Sequence, residues 1–283
     1  MINILVTGGN GQLGSELKEI APNHQEYNFL FTDVKDLDIT SHLAVAAFIE
    51  SNNINVIINC AAYTAVDKAE SEPELSDAIN HFAVANFAQI ANDKNIKLIH
   101  ISTDYVFDGL NYKPYAETDN PNPQSVYGKT KLDGERVMQQ INPGNSIIIR
   151  TSWVYSRFGN NFVKTMLRLA ETKDEISVVA DQIGSPTNAA DLADVILNIL
   201  PKISNDSVEL FHYSNEGVCS WYDLAMAIFD LEKKRIGANP IKSAQYPTPA
   251  ERPFYSVLSK EKIKMMYGID IPHWRETLVT FLN

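Results

Sequence analysis

Tyr127 and Lys131 stand four residues apart in Tyr127-Gly128-Lys129-Thr130-Lys131, which opens a helical pattern. That spacing sets both side chains on one helix face. A free tyrosine ionises near ~10 and is a poor proton shuttle at neutral pH. A lysine cation beside it favours the phenolate and lowers that value, so the pair can protonate a carbonyl oxygen during a hydride transfer. The same spacing also fits a packed tyrosine beside a solvated lysine. Thr103, in Ser102-Thr103-Asp104-Tyr105 at the end of an apolar run, sharpens the first reading. Ligands of open α/β sheets bind outside the carboxyl ends of the strands, and a hydroxyl there can bond the same carbonyl oxygen.

A second group of residues suits a dinucleotide. The first apolar run ends in Thr7-Gly8-Gly9-Asn10-Gly11-Gln12-Leu13-Gly14, with Gly8, Gly11 and Gly14 spaced by three. Glycines permit close backbone approach, so a pyrophosphate can rest on the N-terminus of the next helix. The spacing departs from G-x-G-x-x-G, and a plain strand–helix turn would look the same. Asp33 follows Gly14 by 19 residues at a predicted strand end. A carboxylate there accepts from ribose hydroxyls and repels a 2′-phosphate, which makes NADH usable; an ordinary surface Asp is the other reading. Asp38 either lies near an adenine or caps a helix over 41–51.

These residues need a scaffold. Short β-branched runs (Ile2–Val6, Asn28–Phe31, Val56–Asn59, Lys97–Ile101, Ser146–Ile149) alternate with helical patterns (Leu13–Ile20, Leu43–Ser51, Leu75–Asp93, Lys129–Gln140). The spacing of Leu75, Ile79, Phe82, Ala83 and Phe87 predicts one continuous buried helix face. Alternation of this kind implies a Rossmann-type, doubly wound parallel sheet with both faces covered. Beyond residue 150 the rhythm changes, with helices over 160–170, 189–200, 220–231 and 259–265 and a strand over 176–180. Pro240, Pro247, Pro249 and Pro253 mark a loop-rich stretch. The predicted division is a dinucleotide-binding domain over 1–150 and a smaller mixed substrate lobe over 151–283, whose chain is free to cross back to the sheet.

Composition narrows the class. The 283 residues are 45% hydrophobic and 21% charged, which excludes a disordered or collagen-like chain. A net charge of −11 argues against nucleic acid as a partner. Two cysteines, Cys60 and Cys219, give no disulfide framework, and a cytoplasmic location is expected. The N-terminus reads as a strand and not a signal peptide, and no apolar run approaches the ~18 residues of a membrane span. Six scattered histidines form no metal pattern, and His100, inside a strand, reads as a structural core residue.

The whole chain resembles the dTDP-4-dehydrorhamnose reductases, a family of extended short-chain dehydrogenase/reductases. The resemblance rests on Asn59-Cys60-Ala61-Ala62-Tyr63-Thr64-Ala65-Val66-Asp67-Lys68-Ala69-Glu70, Ser102–Gly109, Tyr127–Glu135, Arg150-Thr151-Ser152-Trp153-Val154-Tyr155, Asp181-Gln182-Ile183-Gly184-Ser185-Pro186-Thr187 and Arg252-Pro253. It implies reduction of the C4 ketone of dTDP-4-dehydro-L-rhamnose by NADPH or NADH. Tyr127 then matches the proton donor, Lys131 the holder of the nicotinamide ribose, and Thr103 the hydroxyl partner of the carbonyl. Gly8, Asn10, Gly11, Gln12, Leu13, Asp33, Asp38, Ile39, Ala61, Ala62 and Tyr63, with Tyr127 and Lys131, match cofactor contacts. Val66, Thr103, Asp104, Tyr127, Trp153 and Arg252 match substrate contacts.

Two of these have readings of their own. The Trp153 indole can stack on the apolar face of a deoxysugar or fill a gap between lobes. The Arg252 fork suits a diphosphate, or is a solvated surface arginine. A sugar-nucleotide epimerase or dehydratase and a non-catalytic NADP-binding regulatory subunit remain the alternatives. No metal is expected. Some family members are dimers bridged by magnesium on glutamates, one of which matches Glu16; the place of a second holds Ala190 here. Asp191 is turned by about 100° from that position. Glu16 therefore reads as a surface residue, and the chain as a monomer or a dimer without a metal bridge.

Overall fold

The computed structural model describes residues 1–283. Its elements in chain order are β1 (Ile2–Thr7), α1 (Gln12–Ile20), β2 (Tyr27–Thr32), α2 (His42–Ser51), β3 (Val56–Asn59), α3 (Ala83–Lys94), β4 (Lys97–Thr103), α4 (Val126–Ile141), β5 (Ser146–Thr151), α5 (Phe162–Thr172), α6 (Ala189–Ile199), β6 (Glu209–His212), α7 (Trp221–Leu231), α8 (Glu261–Tyr267) and α9 (Trp274–Leu282). The six strands form one sheet in the order β6-β5-β4-β3-β1-β2, every neighbouring pair parallel. The chain steps from β1 outward to β2, then crosses to β3 on the other side. The order therefore reverses between β1 and β3, where a crevice opens at the carboxyl ends.

The apolar runs are buried on both faces because alternate residues serve opposite layers. Ile4, Val6, Ile58, Ile99, Ile147 and Ile149 pack with Leu17 of α1 and Leu192, Ile196 and Ile199 of α6. Leu5, Ile57, Leu98 and Ile148 pack with Val45 and Ile49 of α2, Phe87 of α3 and Met138 of α4. Two elements from beyond residue 150, α6 and β6, thus return to the sheet and its covering layer. A separate core joins α5, α7 and α9 through Val163, Met166, Leu224, Ile228 and Leu278. Beside it Gly237–Ile241 pairs in parallel with Glu175–Val179, so a strand runs through Pro240 where the prolines predict loop. A lone two-stranded ribbon has free edges on both sides, which tolerate the missing N–H.

The expected helix over 75–93 forms, but without one continuous buried face. A helical turn at Pro73–Asp77 and a π-helical turn at Ala78–Phe82 precede α3. The wider turn shifts the apolar spacing, leaving Leu75 and Phe82 exposed at 48% and 56% while Ala83, Val84 and Phe87 reach the core.

Candidate active site

A cleft of about 1090 Å³ opens at the β1/β3 switch point. It is lined by Gly8, Asn10, Gly11, Gln12 and Leu13 from the glycine turn, Asp33, Asp38 and Ile39 after β2, and Ala61, Ala62 and Val66 after β3. Thr103, Asp104, Tyr127, Lys131 and Trp153 complete it. The structure therefore gathers most of the expected residues. Two lie outside: Tyr63, whose hydroxyl donates to Glu72 Oε2 at 2.6 Å, and Arg252.

The glycine turn fits a pyrophosphate. Gly8 has φ of +66°, and a Cβ there would lie 2.8 Å from the Ala61 nitrogen, so only glycine lets the turn after β1 pass so close to the chain leaving β3. Gly11 precedes α1 as its N-cap and offers no side-chain cap, leaving first-turn N–H groups for a ligand. Gly14 serves packing instead. A Cβ there would lie 2.3 Å from the Gly8 oxygen, so its absence allows α1 to sit on the turn. Asp33 holds that turn as well as facing the cleft, accepting from the Asn10 amide at 3.0 Å and the Val34 amide at 2.7 Å. Asp38 does not cap α2: it accepts from the Thr40 amide and hydroxyl, and Ser41 is the cap. Gln12 reaches across to the second half, donating to the Val154 carbonyl and accepting from Asn161.

Helix α4 sets the reactive pair. Ser125 caps it by accepting from the Gly128 amide. A Cβ at Gly128 would lie 2.2 Å from the Tyr105 oxygen, and one at Gly134 would lie 2.1 Å from the Asn80 oxygen. These two glycines let α4 sink against the turn after β4 and against the π-helical turn. Asn80 then binds both sides of the cleft wall, accepting from the Tyr63 amide and donating to Tyr63 and Thr130 oxygens.

The expected lowering of the Tyr127 ionisation is overturned. Burial pushes its phenol up to about 12, against a smaller opposing pull from the Thr103 hydroxyl. Lys131 does not act on it here, because its ammonium donates to the Ile101 carbonyl at 2.7 Å and lies 3.4 Å from His100 Nε2. Burial lowers Lys131 itself to about 8, with Glu135 and Cys60 working the other way. Tyr127 is thus a phenol at neutral pH, with a proton to give. Thr103 Oγ1 donates to Asp104 Oδ1 at 3.1 Å and accepts from the Tyr105 amide. Burial raises the Asp104 carboxyl to about 6.

The substrate-side expectations are corrected in detail. Arg252 is not a solvated arginine: its guanidinium forks onto Asp67 at 2.9 and 2.7 Å and donates to Thr248 Oγ1. It lies in a neighbouring crevice with Gln182, Tyr246 and Phe254. Trp153 keeps φ of +49° and stacks on Trp221 with ring centroids 3.5 Å apart, so one indole face is already covered. Glu16 is not at the surface either. It is 4% exposed and accepts from Ser156 Oγ at 2.6 Å. Burial raises the Asp191 carboxyl above its usual value, with Asp194 and then Glu16 adding smaller like-charge contributions. Asp191 is bonded to Asn215 Nδ2.

Comparison with known proteins agrees with this arrangement. The family model described as RmlD substrate binding domain matches residues 2–283. A dTDP-4-dehydrorhamnose reductase of Aggregatibacter actinomycetemcomitans is 44% identical over 288 residues, spanning 98% of this chain and 97% of the relative. The crystal structure of a dTDP-4-dehydrorhamnose reductase from Clostridium acetobutylicum superposes with a TM-score of 0.94 at 43% identity, covering 99% of this chain and 98% of that one. That of the Bacillus anthracis reductase, solved in complex with NADP, gives 0.95 at 39% identity, covering 100% and 99%. Sequence and fold are shared from end to end, and the chain belongs to the RmlD substrate binding domain family.

Proposed function

We propose that this chain reduces the C4 ketone of dTDP-4-dehydro-β-L-rhamnose with NADPH or NADH, giving dTDP-L-rhamnose. It is an oxidoreductase of the dTDP-4-dehydrorhamnose reductase type. One observation carries the reading of the site: Tyr127, Thr103 and Lys131 share a single cleft with an uncapped helix N-terminus that suits a pyrophosphate.

Bound there, the dihydronicotinamide supplies the hydride to C4. The glycine turn and the α1 N-terminus hold the diphosphate, and Asp33 accepts from the ribose hydroxyls. Tyr127 directs its hydroxyl at the ketone oxygen, and Thr103 does so when its proton turns from Asp104 Oδ1 to the substrate. As charge builds on that oxygen, Tyr127 gives up its proton and is left as a phenolate, which takes a proton back from solvent. A donor of raised pKa stays loaded at neutral pH and transfers only to a strongly basic oxyanion. Lys131 holds the nicotinamide ribose. Val66, Asp104 and Trp153 border the sugar, and Arg252 takes the substrate diphosphate once its fork leaves Asp67.

We also assign residues 1–150 to dinucleotide binding and 151–283 to the sugar nucleotide, with α6 and β6 lent to the sheet. A cytoplasmic location accords with the two free cysteines. A monomer, or a dimer without a metal bridge, accords with the buried Glu16–Ser156 bond. No helix is long and apolar enough to cross a membrane. The test is spectrophotometric, with dTDP-4-dehydro-L-rhamnose generated in situ by its epimerase. Stoichiometric loss of NADPH or NADH is expected. Cofactor that stays bound and returns unchanged after each turnover would instead indicate an epimerase or dehydratase.

A further inference from the structure

On the face that meets α4, three adjacent strands change from apolar to polar at one shared rung, which ends β1 and β3 and lies midway along β4. Leu5, Ile57 and Leu98 are core residues, and two positions on come Thr7, Asn59 and His100. The register sets these three side by side, Thr7 opposite Asn59 and Asn59 opposite His100. All are at most 1% exposed, as is Lys131 above them. They are joined in a row: Thr7 Oγ1 to Asn59 Oδ1 at 2.7 Å, Asn59 Nδ2 to His100 Nδ1 at 3.0 Å, and His100 Nε2 to Lys131 Nζ at 3.4 Å. Four buried polar side chains in sequence are costly unless each is satisfied. We propose that His100, set by Asn59 and Thr7, is a positioning residue for Lys131, adopting whichever tautomer complements the charge on the lysine.

Donor and acceptor counting decides which tautomer goes with which charge. An ammonium can only donate, so opposite charged Lys131 the His100 Nε2 must accept. The ring proton then sits on Nδ1, and Asn59 must present its carbonyl oxygen to it and its amide to Thr7 Oγ1. Opposite a neutral amine the order reverses. The structure orients Asn59 Nδ2 toward His100 Nδ1, the arrangement that goes with the neutral amine. A half-turn of the Asn59 amide relates the two patterns and keeps Asn59 in contact with both His100 Nδ1 and Thr7 Oγ1. Imidazolium is excluded from both patterns, since burial and the Lys131 charge hold His100 well below the usual histidine range. The other titratable groups around Lys131 are placed or paired elsewhere. Tyr127 is one turn back on α4, Glu135 one turn on is engaged by Arg150, and burial keeps the Cys60 thiol neutral, up to about 12.

This inference rests on the assignment of Lys131 to the reaction, and its test separates the two. In the full chain labelled with ¹⁵N-histidine, ring NMR from pH 6 to 10 is expected to show His100 protonated on Nδ1 at low pH and on Nε2 at high pH. A single tautomer throughout, or imidazolium at pH 6, overturns the proposal and needs no variant that must fold. In turnover, His100→Leu is expected to move the alkaline limb of the kcat profile down by about one pH unit, the scale of one lost hydrogen bond to a charged group. An even loss of rate across pH with an unmoved limb means a packing role only and also overturns it. If wild type fails to turn over at all, the reductase reading fails while the tautomer measurement still decides the inference.

Discussion

The two sides of the cleft are finished to different degrees. On the dinucleotide side the binding groups are in place, and the helix N-terminus that would meet the pyrophosphate is unpartnered. The α1 N-terminus has no side-chain cap, the glycine turn is locked by Asp33 and by the close approach of Ala61, and Tyr127 is held by the seating of α4. On the sugar-nucleotide side the groups that should bind substrate are bound to the chain itself: Arg252 to Asp67 and Trp153 to Trp221. A preformed surface binds without reorganisation, whereas a self-paired one must exchange partners at some cost in affinity. The difference suits an enzyme whose cofactor enters a ready site and whose substrate completes the other half.

The largest expected effect lies on the finished side. Tyr127→Phe removes the proposed proton donor and leaves the ring, with its edge-on packing against Tyr105, in place. We expect kcat to fall by at least ~10² with cofactor affinity nearly unchanged, measured by steady-state kinetics and a direct NADPH titration. Near-normal turnover would remove Tyr127 from the chemistry.

The self-paired side is tested by Arg252 and Asp67 together. Arg252→Ala should raise KM for the sugar nucleotide by ~10–10², the scale of a charge-assisted fork, with KM for NADPH little changed. Asp67→Asn weakens the competitor and should leave KM for the sugar nucleotide equal or lower. If it raises KM as much as Arg252→Ala does, Asp67 holds the arginine in its working place and the partner exchange is wrong.

Much of this is legible before the fold. Tyr127 and Lys131 announce themselves by a four-residue spacing, and each of the first five strands is an apolar run bounded by turn residues. What stays hidden depends on long-range placement. Arg252 meets Asp67 across 185 residues and Glu16 meets Ser156 across 140, and charged residues met singly read as solvated. His100 reads as a core residue because parallel register, which sets it beside Asn59, leaves no mark in either local sequence. Strand β6 is only Glu-Leu-Phe-His, too short and too polar at its ends for its pattern to stand out.

A third experiment measures what the buried carboxyl after β4 costs in stability. Asp104 is 2% exposed, and burial raises its carboxyl from 3.8 to about 6. A native carboxyl of raised pKa takes up its proton more readily than the unfolded one. The charge therefore destabilises the fold above pH ~6, and the penalty is relieved as pH falls from about 6 to 4. Asp104→Asn should then stabilise the protein by up to about 3 kcal/mol at pH 8, with little gain at pH 4, followed by urea unfolding. A gain that persists at pH 4 would assign the effect to packing instead of charge. Turnover should fall in the same variant, since Asp104 accepts from the Thr103 hydroxyl.

The smallest effect belongs to the indole pair, and it decides whether Trp153 serves the substrate or the fold. Trp153 lines the cleft, yet one face lies flat on Trp221, and its ring fills the space beside Gly184, where a Cβ would come within 2.6 Å. Trp153→Ala removes both the stacking surface toward the sugar and the support of Trp221. Trp221→Ala removes only the support, because Trp221 does not line the cleft. A ring contact contributes ~0.5–1.5 kcal/mol beyond burial, or roughly a 2- to 12-fold change in a binding constant. We expect Trp153→Ala to raise KM for the sugar nucleotide within that range while KM for NADPH stays level, and Trp221→Ala to change both by less. Equal rises from the two variants would mean that the pair acts as a strut between α7 and the cleft rim. The contrast between the two sides would then be one of packing and not of partners waiting to be exchanged.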